Sequence, residues 1–397
     1  MFKRNIYLMY SIACLQGMVF YGPVATLYRQ AQGLSILQIT AIESISLALC
    51  LLLELPWGVA ADKIGYRRTM ILCSALYFVS KILFWQATGF LAFLAERILL
   101  SAVIAGLTGV DTSILYLSCS KEESQHVFGL YNGLQTFGLL AASFVYAALI
   151  GEDYRLAGLL TVLSYGAAAI LSLLLVEVKA QADCRVSTKD FFRMLKRAAT
   201  DQNLLVFLIA VAFFNETHQT VTVFLNQLQY TKAHLGSSAI GYVYIAVTIV
   251  GLCGVLSARV TQKIGAVSLM RWGYCTAIAV CALLAWTSSA WASILGVILL
   301  RAAFSLVGPL QTELQNRQIA EANRASALSI NAVIIDSVGV GTNVCFGALA
   351  EKSLGVSFGF GAGLCAAGIV LFEIWDRGTG RRFTRRASGG PAGKSHP

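Results

Sequence analysis

Charged side chains are scarce in this chain of 397 residues: Asp, Glu, Lys and Arg together make up 13% of it, about half the share an ordinary soluble domain carries. Proline is rare as well, at five residues. No pair among the ten cysteines has C-x-x-C spacing, no GxxxxGK[ST] phosphate loop occurs, and no His/Cys cluster or triad-like constellation marks a metal or nucleophile centre. A water-soluble enzyme, a disulfide scaffold and a nucleotide hydrolase are therefore excluded, and neither a cofactor nor a metal is expected. With 57% hydrophobic residues, intrinsic disorder is excluded too.

What is present is a succession of long apolar runs, with a mean hydropathy of +0.70. Roughly 20 apolar residues cross the hydrocarbon core as a helix, and unbroken runs argue against the ten-residue alternation of a membrane β-barrel. Twelve spans are predicted: 6–28, 36–60, 69–88, 90–118, 127–150, 154–176, 203–229, 237–258, 267–287, 290–315, 325–349 and 355–375. The first is too long for a signal peptide and lacks a small-residue cleavage site. One long polar interval, Glu177 to Gln202, divides the spans into two sets of six. The expected organisation is an N-terminal bundle over 1–176, a linker over 177–202, a C-terminal bundle over 203–375 and a basic tail over 376–397. Within the linker, Thr188 to Ala199 reads as an amphipathic helix at the membrane surface.

The net charge is +10. In a soluble protein that excess would suggest nucleic acid; here it reads as the positive-inside bias. With both termini in the cytoplasm, 22 of the 30 Lys and Arg residues fall in inside segments and four, Arg29, Arg155, Lys232 and Lys352, in outside loops. The tail, with its RRFTRR cluster, is expected to be disordered and held near anionic lipid. The eight cysteines inside apolar runs read as small hydrophobes.

The halves resemble each other. Asp62-Lys63-Ile64-Gly65 follows the second span and Gln262-Lys263-Ile264-Gly265 the eighth, and Arg97 of the fourth has a counterpart in Arg301 of the tenth. A parallel six-helix repeat is a transporter pattern with the site between the halves. The loop after the second span runs Gly58-Val-Ala-Ala-Asp62-Lys63-Ile-Gly65-Tyr66-Arg67-Arg68. This resembles the Gly-x-x-x-Asp-Arg/Lys-x-Gly-Arg/Lys-x-Arg/Lys signature of the major facilitator superfamily, except that Tyr66 stands where a basic residue is usual. The resemblance covers essentially the whole chain. It implies an all-α membrane protein with twelve transmembrane helices in two pseudo-symmetric six-helix bundles. Physically, Asp62 at a helix end needs a cationic partner, and a clasp with Arg67 and Arg68 would hold one face shut; capping by Asp62 and lipid anchoring by the arginines is the alternative. Upstream, Glu54-Leu-Pro56 resembles the Glu-x-Pro variant of some bacterial drug exporters, and Asn323-Arg324-Ala325-Ser326-Ala327-Leu328-Ser329 is similar to a stretch of the same group. The fifth span lacks the Gly-Pro signature of many drug–proton antiporters.

Ionisable residues inside spans are expensive and are functional candidates. Lys81, Glu216 and Asp336 fall near mid-span, Glu43, Glu96, Arg97 and Arg301 in the outer part, and Glu54, Asp111 and Glu313 toward the cytoplasm. The resemblance implies that spans one, four, seven and ten line a central cavity. Glu216, in Asn215-Glu216-Thr217-His218-Gln219, is then the leading proton-coupling candidate, with permanent pairing to Arg301 or His218 as the alternative. Asp336 is the second candidate, against a buried hydrogen bond. Arg97 resembles an arginine associated with proton transfer in antiporters; it could equally neutralise Glu43 or Glu96, and Glu43 joins the coupling set. Lys81 is expected to make a structural salt bridge, to Glu43. Fourteen residues separate Arg97 from Asp111, which places both on one face of an uninterrupted helix; the position of Asp111 near the inside end of the fourth span favours a partner in the Arg67/Arg68 clasp over a proton carrier. Gln16, Tyr21, Asn215, His218, Tyr242, Arg301, Gln311 and Glu313 are cavity candidates, with Tyr244, Asn132 and Gln135. Pro23 and Pro309 are expected flex points, and Gly106, Gly109, Gly339 and Gly341 close-contact positions.

The function these readings imply is alternating-access secondary transport: proton-coupled export of a drug-like or amphipathic organic compound. A proton symporter or uniporter importing a small metabolite is the alternative, and a non-transporting sensor or scaffold a second. Small-molecule substrate, protons and lipid are the expected partners, with no nucleic acid. A monomer in a bacterial plasma membrane is expected.

Overall fold

A computed structural model describes residues 2–120, 123–178, 200–318 and 324–380. The surface helix expected over 188–199 and the tail beyond 380 lie outside the described residues, as do the side chains of Glu54 and Asp62. Among the described residues every regular element is helical. Twelve helices are long and apolar enough to cross a membrane: α1 (Lys3–Ala31), α2 (Ile36–Leu53, its helix continuing to Ile64), α3 (Tyr66–Gln86), α4 (Gly89–Ser118), α5 (Ser124–Ile150), α6 (Tyr154–Ser172), α7 (Gln202–Lys232), α8 (Ser237–Ile264), α9 (Ala266–Trp286), α10 (Ala290–Arg317), α11 (Ala327–Lys352) and α12 (Leu354–Gly378). Each meets one expected span, with ends displaced by a few residues. Helices are the natural outcome, because a lipid-exposed backbone must satisfy its polar groups within its own segment.

The chain forms two compact units, Met1–Asp183 with Leu235–Ile245, and Cys184–His234 with Ala246–Pro397. Inside the first, α1 packs on α5 and α6, α2 on α4, and α3 on α4 and α6; inside the second, α7 packs on α11 and α12, the later part of α8 (Leu252–Ile264) on α10, and α9 on α10 and α12. The two packing schemes correspond helix for helix. The short sequence repeat carries the same backbone feature: Gly65 has φ 97° and ψ 147°, Gly265 φ 87° and ψ 151°. Positive φ is cheap only for glycine, so each stops one helix and starts the next, α3 and α9, both of 21 residues.

Among the described residues, two spans break into non-helical backbone, and α8 passes through a 3₁₀ stretch over Leu252–Leu256 without leaving the helix. In α1 the helix ends at Gly17, and a 3₁₀ turn over Gly22–Val24, carrying Pro23, precedes its resumption at Ala25. In α4 it stops at Leu107 and restarts at Val110, with Gly109 at φ 84°. Pro309, an expected flex point, instead sits inside a continuous helix. The carbonyl that loses its donor to Pro309 is that of Ser305; one residue on, the Ser257 hydroxyl of α8 donates to the Leu306 carbonyl at 2.6 Å and ties α8 to this turn of α10.

Candidate functional site

Most of the buried charge in the first unit gathers where α1, α2, α3 and α4 meet. Arg97 of α4 donates to the Glu43 carboxylate of α2 at 2.5 Å. Arg97 was open to either Glu43 or Glu96, and Lys81 was expected to take Glu43; the contact formed is Arg97–Glu43. Lys81 of α3 instead donates to the Tyr21 hydroxyl at 3.2 Å. Its ammonium lies 5.0 Å from the ring centroids of both Tyr77 and Tyr165 and 5.8 Å from that of Tyr21. Ring faces carry partial negative charge and stabilise a desolvated cation. Tyr165 in turn donates to the Gln16 carbonyl at 2.6 Å, which fixes the cage to the end of the first helical segment of α1. The break around Pro23 brings Tyr21 into this cage, stacked on Phe84 with centroids 4.1 Å apart.

Arg29, read from sequence as an outer-loop charge, is buried at the end of α1, with its guanidinium 5.4 Å from the Phe84 centroid. Beside it Glu96 is 1% exposed, and neither of its oxygens has a hydrogen-bond partner. Lys81, Arg29 and Arg97 are the cations whose fields reach it. Arg29, Lys81 and Glu96 were missing from the predicted site. Lys81 and Glu96 were visible as charges in apolar runs, but nothing local says that adjacent helices bring them to one cluster.

In the second unit Glu216 is 7% exposed and His218 2%. The Glu216 carboxyl carbon lies where a Cβ on Gly339 of α11 would come within 2.7 Å, and the Arg301 guanidinium occupies the corresponding space beside Gly251 of α8. Small residues thus let neighbouring helices approach these charges. Gly106 serves a similar end, since a Cβ there would meet Cys73 at 2.7 Å; Gly341 faces open space, and Gly109 is required for its φ rather than for contact. His218 stacks on Phe304 with centroids 3.7 Å apart and an interplanar angle of 4°. Its ring Nε2 lies 3.5 Å from the Thr222 hydroxyl. Asn215 is half-buried and Gln311 buried, each with one amide atom unpartnered. Asp336 is half-buried, Tyr242 is 49% exposed, and Asn132 and Gln135 are exposed. Glu313 pairs with Arg317 one turn away on an exposed face.

In the signature loop the described contacts of Arg67 run to the end of α6. Arg67 donates to the Leu175 carbonyl at 2.5 Å and the Leu173 carbonyl at 3.2 Å, just past the end of α6. Its own backbone N–H donates to Glu177 at 3.2 Å, so a carboxylate caps the start of α3, where the helix dipole favours negative charge. Arg68 is exposed. Asp111 takes no part: it accepts from the Thr112 N–H at 2.7 Å and from the Tyr131 hydroxyl at 3.3 Å. The common face inferred for Arg97 and Asp111 assumed an unbroken helix, and the interruption at Gly109 removes it.

A family model described as Major Facilitator Superfamily matches residues 6–342. The chain belongs to this superfamily. Its fold is shared with a variant of the nucleoside transporter NupG (TM-score 0.80, 15% identity, covering 93% of this chain and 99% of that one). A bacterial homologue of the human lysosomal transporter Spinster is also similar (TM-score 0.67, 16% identity, 98% of each chain), as is a D-xylose–proton symporter (TM-score 0.70, 14% identity, 94% of this chain and 95% of that one). No curated protein matches. At these identities the likeness is one of fold. This major facilitator is accordingly a multi-pass membrane protein and a secondary transporter of small molecules.

Proposed function

We propose that this major facilitator couples proton movement to the export of a drug-like or amphipathic organic compound. The observation that carries the reading is the burial of ionisable groups inside membrane spans, with Glu216 foremost: a carboxylate 7% exposed on α7, seated against a glycine of α11. Such groups are retained in hydrocarbon where they move ions or substrate. Asp336 is a second coupling group, and Arg97 with Glu43 a charge pair that sets the local field. His218, Arg301, Asn215 and Gln311 are substrate-contact candidates on the same unit, joined by Gln16, Tyr21, Tyr242 and Glu313. The outward direction is supported by the resemblance of Glu54-Leu-Pro56 and Asn323–Ser329 to drug exporters.

A second reading, proton-coupled import of a small metabolite, is favoured by the fold shared with a nucleoside transporter and a D-xylose–proton symporter. One experiment separates them. Cells with and without the protein are compared for growth and accumulation across antibiotics, dyes, sugars and nucleosides, with a protonophore control. Protonophore-sensitive loss of a dye or antibiotic from cells is the expected result; protonophore-sensitive gain of a sugar or nucleoside selects import. In vesicles, Glu216→Gln is expected to abolish gradient-driven movement, and undiminished transport removes Glu216 from the mechanism.

A further inference from the structure

The charges facing Glu96 come from every neighbouring element: Lys81 from α3, Arg29 and the Tyr21 hydroxyl from α1, Glu43 from α2 and Arg97 from α4 itself. Arg97 is already committed to Glu43. Lys81 rests on a phenol and three ring faces, all neutral hosts. The cluster therefore holds one pair that is made, while among the described residues the Glu96 acid has no donor and two cations, Lys81 and Arg29, have no ion pair; Arg29 lies against the Phe84 ring with its Nε unpartnered, and Lys81 stands on α3, the helix packed on Glu96's own α4. A bare ionised carboxylate sealed from water and from every donor is the costliest state a side chain can adopt in hydrocarbon. The same group bearing its own proton fits these surroundings.

We propose that Glu96 is a proton-binding site of the transport cycle, holding its proton in the arrangement seen here and releasing it when its carboxylate meets Lys81. On release the carboxyl O–H bond breaks, the proton passes to water, and the negative charge left on Glu96 is met by the Lys81 ammonium. Nothing is oxidised or reduced. The cluster then goes from two net positive charges, with Arg29, Lys81 and Arg97 opposed by Glu43 alone, to one. The aromatic cage gives Lys81 a resting place between pairings, which a simple structural salt bridge would not need. This inference rests on the proton-coupled reading above, but it adds a site in the first unit that Glu216 does not supply.

The test uses the full chain in liposomes and needs no known substrate. Infrared difference spectra taken along a pH titration report the C=O stretch of protonated carboxyl groups. The wild type is expected to show a protonated-carboxyl band that disappears on alkalinisation and is missing from Glu96→Gln; an identical band in Glu96→Gln overturns the proposal. Lys81→Gln removes the waiting cation, so the band is expected to persist to a higher pH than in wild type, and an unmoved titration overturns Lys81 as the partner. Should Glu96→Gln not fold, wild-type protein treated with dicyclohexylcarbodiimide, which reacts with protonated carboxyls in apolar surroundings, is expected to carry its adduct on Glu96 by peptide mass spectrometry. Modification elsewhere with Glu96 untouched overturns the site. Transport in the same liposomes decides the parent reading separately. A titrating Glu96 with no protonophore-sensitive transport of any panel compound overturns its place in a transport cycle, whereas proton-driven transport without a Glu96 band overturns the site alone.

Discussion

Both units tie the start of their third helix to the end of their sixth with an arginine, yet by different chemistry. In the first, Arg67 grips the backbone carbonyls of Leu173 and Leu175 beyond α6. In the second, Arg271 of α9 forms an ion pair with the Glu373 carboxylate of α12, and Glu373 stands 200 residues after Leu173, the same displacement that relates Gly65 to Gly265. The comparison teaches that the fold conserves the tie while each half chooses its own partner. Helix-end carbonyls are unsatisfied and already carry partial negative charge, so a guanidinium can use them without any acidic side chain. Where α12 continues as helix past this point, its carbonyls are occupied and a carboxylate has to serve instead.

The sharpest way to break the comparison is Arg67→Ala. It removes charged donors from two carbonyls, and a loss of about 1.5–3 kcal/mol is expected, read as a lowered melting temperature of the purified protein that added salt does not reproduce. Next in size is Gly339→Ala, which drives a methyl group onto the Glu216 carboxyl. A cost of about 1–2 kcal/mol is expected from overpacking, while Gly341→Ala, two residues on and facing open space, should stay within ~0.5 kcal/mol of wild type. Equal melting shifts for the two alanines would show that Gly339 is not a seat for Glu216. The smallest effect belongs to Arg271→Ala. Its side chain is 50% exposed and that of Glu373 24%, so less than ~1 kcal/mol is expected, screened by salt; a loss as large as that of Arg67→Ala would make the two ties equivalent.

How far the molecule can be read from sequence depends on the range of the interaction concerned. The spans are legible because crossing hydrocarbon demands a run of apolar residues, a constraint written contiguously along the chain. The internal repeat is legible in four residues around Gly65 and Gly265, because a positive-φ stop requires glycine in each copy. The break of α1 was signalled by Pro23. Pro309 carries the same signal, yet α10 runs through it as one helix. Asp111 was misplaced for a related reason: helical arithmetic holds only while the helix does, and Gly109 was read for its size when its φ mattered. The candidate site shows the same division. Glu216, Arg97 and Glu43 stood out as charges in oily segments. Arg29 hid at a span end as an ordinary loop cation, and Lys81 was assigned a carboxylate where the structure gives it rings.

The sequence by itself determined how many segments are long and apolar enough to cross a membrane and which residues carry charge into them, because both follow from the local cost of placing polar groups in lipid. Only the tertiary structure decided who faces whom: Arg97 on Glu43, Lys81 in its aromatic cage, Glu96 with no donor and Arg67 on the carbonyls after α6. A charge buried in hydrocarbon must be met by something, but the identity of that partner is set by packing between helices distant in the chain, and no single span records it.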